Sequence, residues 1–352
     1  MELTTVWFCL IAVLWMGYFV LEGFDFGVGM LLPVLARDDR ERRVLINTIG
    51  PVWDGNEVWV ITAGGATFAA FPEWYATLFS GFYLALLLIL LALIVRGVAF
   101  EFRHQRPGRR WQAGWDRTIV VGSLVPAFLW GVVFANIVRG VPIDASMNFT
   151  GTIWTLLNPI GLLGGLTTLT LFLAHGAMFV ALKTDGEIRH RARRLAVRLG
   201  VVAAAVAVVF LVWAEVHTGN LASGILFGAA ALTLVAGVVA AAVGREGWAF
   251  LGTFLTLLLA VAGLFVALFP DVMPSTTPGG VTLTTTNAAA THYTLKVMTI
   301  IAAIFTPFVL LYQAWTYWVF RKRISVHHIP TAKLEQRGGR GDRDPDTGNA
   351  TA

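Results

Sequence analysis

Trp53-Asp54-Gly55-Asn56-Glu57-Val58-Trp59 places two carboxylates and an amide at the mouth of a segment that then runs apolar through Ala70. Residues three apart share a helix face, so Asp54 and Glu57 are expected side by side. A carboxylate in hydrocarbon costs at least ~2.5–3.5 kcal/mol at a helix centre. Such groups survive in membranes because they carry protons or ions, or because they pair inside a bundle. Asp25, Arg96 and Glu101 also lie in or beside long apolar runs. Histidine is the other residue type to weigh, because membrane redox proteins often hold haem through it. Of the seven, only His175, in Ala174-His175-Gly176, lies in a buried setting. His104, His190, His327 and His328 fall in basic segments, and His217 and His292 fall near helix ends. One buried histidine without a second at bundle spacing reads as a hydrogen-bonded core residue rather than a haem ligand.

The elements that must position these groups are membrane spans. Hydrophobic residues make up 57% of the 352 positions and charged residues 13%, about half the usual share for a soluble domain. Apolar runs of span length recur along the chain. The first, Thr5 to Leu35, is too long for a cleaved leader and reads as a retained span. The pattern predicts an all-α polytopic membrane protein of nine transmembrane helices, roughly 5–34, 52–70, 74–100, 118–138, 155–182, 198–216, 222–243, 248–269 and 292–320. Odd-numbered loops are rich in arginine, and even-numbered loops are nearly free of it. By the positive-inside rule the N-terminus is outside and the C-terminus cytoplasmic. Residues 1–325 are then one transmembrane domain, and 326–352 a charged, Gly-rich cytoplasmic tail expected to be disordered. The outer loop 270–291 is either an ordered cap or a flexible segment. The single cysteine, Cys9, excludes an internal disulfide and any cysteine-held cluster. A net charge of +5, spread over short loops, does not suggest nucleic acid.

Orientation fixes depth through the ~1.5 Å rise per residue. Asp25, Asp54, Glu57, Arg96 and Glu101 then share the inner third of the membrane on three consecutive spans. One reading has Arg96 pairing with Asp25, Asp54 or Glu101 and tying those helices together. The other is a cytoplasmic funnel that passes protons along hydrogen-bonded water. The two can coexist. Gly23/Gly27 and Gly161/Gly165, each four apart, suit close helix approach rather than ligand binding.

A longer set of motifs then stands in order: Gly23-Phe24-Asp25-Phe26-Gly27-Val28-Gly29-Met30, Glu41-Arg42-Arg43, Ile46-Asn47, the Trp53-to-Trp59 block, Thr62-Ala63-Gly64-Gly65-Ala66, Phe79-Ser80-Gly81-Phe82-Tyr83, Leu156-Leu157-Asn158-Pro159, Met273-Pro274-Ser275 and Ala314-Trp315. With these the chain resembles subunit II of the cytochrome bd-type quinol oxidases, from the first span to the ninth. The resemblance implies an enzyme of the bacterial cytoplasmic membrane that oxidises quinol and reduces O2 to water. It implies a partner subunit I that carries haems b558, b595 and d, with no haem or metal ligated by this chain. It also implies two four-helix bundles plus one peripheral helix, lipid contacts, a structural quinone in some members and a small accessory membrane subunit. The aspartate matching Asp54 lines a proton path in the family, and the tryptophan matching Trp59 lies by an oxygen route described in some members. The residues matching Asp25, Trp53 and Arg96 share that inner region. Some relatives carry Gln where Glu57 stands, so a carboxylate there is not a family requirement. Two alternatives remain beside this reading: a secondary transporter, which usually shows broken helices at the midplane, and a structural scaffold with no part in proton transfer.

Overall fold

The computed structural model describes residues 2–106 and 108–329. The chain runs α1 (Leu3–Leu35), α2 (Asp39–Ile49), α3 (Trp53–Ala70), α4 (Pro72–Gly81), α5 (Tyr83–Phe102), α6 (Arg109–Arg139), α7 (Ile153–Leu156), α8 (Pro159–Lys183), α9 (Gly186–Thr218), α10 (Leu221–Ala242), α11 (Glu246–Leu268), a short hairpin of β1 (Asp271–Met273) and β2 (Leu283–Thr284), and α12 (His292–Val319). Among the described residues eight helices are long and apolar enough to cross a membrane. Local signals start several of them. Asn158 caps α8 by accepting from the amides of Ile160 and Gly161, with Pro159 at the first helical position. Asn220 and Ser223 form a capping box on α10.

α1 is the spine of the molecule. It packs against α3 and α6 on one side and against α8 and α11 on the other. α5 joins the first group through α6, while α8, α9, α10 and α11 form the second. The two groups meet where α6 and α1 lie on α8. One close approach is Gly27 of α1 against Gly176 of α8, where a Cβ on either would run into the other helix's backbone. Gly164 meets Gly131 of α6 in the same way. The glycines read from sequence as packing devices are therefore seated at helix crossings. α12 lies against α1 and α3 and buries only Leu295.

The helix boundaries differ from the sequence expectation in four places. The expected second span, α3, is long enough, but its first turn carries Asp54, Asn56 and Glu57, so it is not among the eight apolar helices. The expected third span, 74–100, is two helices, α4 and α5, interrupted at Phe82. The first basic loop contains α2, an amphipathic helix capped by Asp38, which accepts from the Glu41 amide. α6 and α9 begin nine and twelve residues before the expected 118 and 198, because the arginine-rich stretches continue the helices rather than breaking them. The segment 270–291 is ordered. Its hairpin is stitched to the loop after α6 by Val141–Pro274 and Thr276–Val141 backbone bonds, and Ala290 bonds to Ala70 at the end of α3. Of the expected tail, Val326–His328 forms a 3₁₀ turn beside α2, and residues 330–352 lie outside the described residues.

Gly176→Leu is expected to lower the unfolding midpoint of the purified assembly, at an overpacking cost of about 1–3 kcal/mol. Gly228, with nothing near its added Cβ, should accept alanine without loss. Thermal unfolding of the two variants tests the contrast.

Candidate functional site

The cluster is built on three helices and closed by a fourth. Arg96 of α5 is fully buried and forms an ion pair with Glu22 of α1, also fully buried. Glu57 of α3 comes within 3.6 Å of the same guanidinium and keeps 19% of its side chain exposed. The Arg96 guanidinium also lies over two aromatic faces, at 4.7 Å from the Phe26 centroid and 5.6 Å from that of Phe100. Cation–π contact partly replaces the water that a buried guanidinium loses. Gly122 of α6 seals the site from behind, and a side chain there would strike the Arg96 Cβ.

Asp25 is one turn along α1 from Glu22 and is fully buried. It accepts from the Asn56 amide at 2.6 Å. The Asn56 carbonyl oxygen accepts in turn from the Tyr317 hydroxyl at 2.8 Å and from Gln313 at 3.4 Å, both on α12. Asn56 therefore links α1, α3 and the peripheral α12 with one side chain. Three carboxyl groups face one guanidinium in this region. Asp25 Oδ1, Glu22 Oε2, and Nε and Nη1 of Arg96 make no hydrogen bond among the described residues. A buried site with more carboxyl groups than cations and open hydrogen-bonding atoms is suited to holding protons and relaying them through water.

Comparison with known proteins decides the family. The profile of cytochrome bd terminal oxidase subunit II matches residues 3–320. The chain belongs to the cytochrome bd terminal oxidase subunit II family. It is 46% identical over 330 residues to the cytochrome bd ubiquinol oxidase subunit 2 of Bacillus subtilis, covering 92% of this chain and 97% of that one. It is 37% identical to the cytochrome bd-I ubiquinol oxidase subunit 2 of Escherichia coli K12, covering 92% and 96%. In fold it resembles a chain from the structure of the bd oxidase of Geobacillus thermodenitrificans, with a TM-score of 0.74, 16% identity, and coverage of 91% and 97%. Membership makes the chain a subunit of a terminal quinol oxidase, an oxidoreductase, in a multi-pass membrane setting.

Within this bd oxidase subunit the expected residues separate into two groups. Asp25, Glu57 and Arg96 come together. Asp54 and Glu101 are exposed and make no ion pair or hydrogen bond among the described residues. Arg96 therefore does not pair with Asp54, Glu101 or directly with Asp25. Its partners are Glu57 and Glu22, and Glu22 escaped the sequence reading. The signal was present, since Glu22 lies three residues before Asp25 and so on the same face of α1. Asp54 and Glu57 also part company: Asp54 looks out from the open side of α3 together with Val58 and Ile61, while Glu57 turns inward. Trp53 packs on Phe100 at 5.1 Å between centroids, and the Trp59 indole donates to Gln313 at 2.9 Å. His175 is fully buried with both ring nitrogens engaged, Nδ1 with the Thr253 hydroxyl at 2.7 Å and Nε2 with the Val20 carbonyl at 3.1 Å. Its ring stacks on Phe250. No group of three metal-ligating side chains occurs among the described residues.

A second charged layer lies at the helix ends that carry the basic loops. Arg103 is buried and holds Asp116 and Asp39 at 2.6 Å each. Arg191 holds Glu41 at 2.6 Å and the Leu35 carbonyl at 3.0 Å, and Arg189 holds Glu246 at 2.8 Å. Arg189–Glu246 ties α9 to α11, and the other bonds fasten α2 to α1, α5, α6 and α9. The arginines expected in the basic loops therefore do structural work.

Removing one partner of a buried pair leaves the other charge uncompensated, at about 3–5 kcal/mol. Arg96→Leu is expected to reduce the yield of assembled protein sharply. Adding Glu22→Leu should recover part of it, as measured by the unfolding midpoint in a double-mutant cycle.

Proposed function

We propose that the chain works as the second subunit of a quinol:oxygen oxidoreductase, paired with a haem-bearing subunit I, and helps to deliver cytoplasmic protons to the site where O2 becomes water. In this reading residues 1–325 form the membrane unit, with nine spans, the N-terminus outside and the C-terminus cytoplasmic. α3 is the ninth span. Its polar first turn lies at the rim, where charged groups reach water. The haems belong to subunit I, and this chain ligates none.

The observation that carries the proposal is the cluster of three carboxyl groups around the single Arg96 guanidinium, one of them still open to the surface through Glu57. One cation can balance one buried carboxylate, and a proton can neutralise a further one. Asp54 is the rim group. It sits one turn before Glu57 on the open face of α3, the face that would lie against subunit I. Protons pass from Asp54 to Glu57 and then to the Glu22–Arg96 pair, while Asp25 stands on a branch held by Asn56. Glu101, beyond Arg96 at the end of α5, adds negative charge at the same rim. Trp53 and Trp59 flank this route, and the oxygen path beside Trp59 and a small accessory membrane subunit belong to the same reading. Protons taken only from the cytoplasm, while quinol releases its own outside, separate charge without a pump and contribute to the proton motive force.

Asp54→Asn in the assembled complex is expected to slow O2 reduction or proton uptake at least about tenfold, a modest part of the 10²–10⁴ that a positioned proton-transfer group supplies, and Glu57→Gln, the residue some relatives carry, is expected to slow it less. Haem content should stay normal. Haem lost together with activity would make these residues structural, and unchanged turnover would end the relay proposal. A visible spectrum of this chain purified alone should lack a haem band, whereas a band would put a haem ligand on this chain.

A further inference from the structure

An open cavity of about 660 Å³ lies where α8 and α12 end and α2 turns into α3. One wall carries four cations, Lys183, Arg321, Lys322 and Arg323, and among the described residues no Asp or Glu lines it. The other wall is apolar, with Phe179, Phe250 and Tyr317 among its residues. The cavity on the other side of α2 is different. It is lined by Arg37, Arg42, Arg109 and Arg117, but Asp38, Asp39 and Asp116 line it too.

The four cations are not spent on one another's neutralisation. Lys183 donates to the Phe320 and Lys322 carbonyls, which fixes the exit of α12 and gives it no carboxylate partner among the described residues. Arg321 lies 4.3 Å over the Trp318 ring and donates to the Trp318 carbonyl, again with no carboxylate partner among the described residues. Lys322 is exposed and has no ion pair among the described residues. Arg323 has the Thr184 carbonyl and, at 3.9 Å, Glu246, which is already held by Arg189 at 2.8 Å. A vestibule that gathers protons would be lined with acids. This one selects anions. Its position at the ends of two spans, with an aromatic wall leading toward the hydrocarbon, is the level at which a phospholipid has its phosphate above and its acyl chains below. Basic pockets between membrane helices hold anionic headgroups by the same charge complementarity.

We propose that this cavity is a binding site for one anionic phospholipid, with its phosphate on the Lys183, Arg321, Lys322 and Arg323 wall and its acyl chains along Phe179, Phe250 and Tyr317. The cavity reaches the buried charge cluster through Tyr317, whose hydroxyl bonds to the Asn56 that holds Asp25. The inference rests on the chain being a membrane subunit and not on its proton path, so either can fail alone.

The test uses the intact oxidase complex in nanodiscs or detergent supplied with phosphatidylglycerol or phosphatidylcholine. Native mass spectrometry counts retained lipid. Arg321→Ala/Lys322→Ala should lose phosphatidylglycerol affinity at least about tenfold, given two surface cations removed, while Arg321→Lys/Lys322→Arg and Arg109→Ala/Arg117→Ala keep it. Equal retention by the Arg321→Ala/Lys322→Ala variant would overturn the proposal. So would equal retention of phosphatidylcholine, displacement by millimolar inorganic phosphate, or phosphatidylglycerol binding that arises only when residues 330–352 are removed.

Discussion

A guanidinium shut away from water between α1, α3 and α5 sets the terms for the first half of the molecule. An arginine keeps its charge under physiological conditions, so Arg96 cannot escape its burial by neutralising. It must be met by acids, and Glu22 and Glu57 arrive from two different helices. Two aromatic faces cover the rest of it, and Gly122 lets α6 close over its stem. A buried charge network is poor evidence for stability as such. It does fix register, because sliding any one of the three helices by a turn would strand a charge. The surplus carboxyl groups belong to the same device, so a scaffold role and the proposed relay do not exclude one another.

Charge holds the first group of helices, whereas close backbone approach joins it to the second. Lipid tails are as apolar as leucine, so hydrophobic burial alone offers little reason for membrane helices to associate. Gly27 on Gly176 and Gly131 on Gly164 bring backbones near enough for dense van der Waals contact. His175 sits beside this seam with both nitrogens satisfied by α1 and α11. That arrangement makes it a cross-link between the two groups and leaves it no free lone pair for a metal.

The helix ends tell a related story. Basic loops are usually read only as orientation signals, yet here Arg103, Arg189 and Arg191 are engaged by Asp39, Asp116, Glu246 and Glu41. Where that pairing stops, at the exit of α12, the charge is left unbalanced and the surface becomes an anion site. The contrast between two cavities on either side of α2 follows from which carboxylates the chain places in reach.

Much of this was legible in the sequence because hydrocarbon leaves few choices. Runs of span length must be helices, since only a helix satisfies its own backbone there. A charge in such a run must be paired or functional, and that marked Asp25, Glu57 and Arg96. The ordered motifs carried the family. The sequence could not say which acid meets which cation, because that depends on how three helices are rotated about their axes. Rotation turned Asp54 outward and Glu57 inward although they share a turn, brought in Glu22, and set Asn56 between Asp25 and Tyr317. It also could not show that arginine-rich loops would continue α6 and α9 or hold an amphipathic α2, because a charged segment has no apolar period until a folded surface gives it one face to bury. Residue types and order thus determined that this is a helical membrane oxidase subunit with buried charge. The tertiary packing alone decided which charges are buried together, because a burial partner belongs to a neighbouring helix.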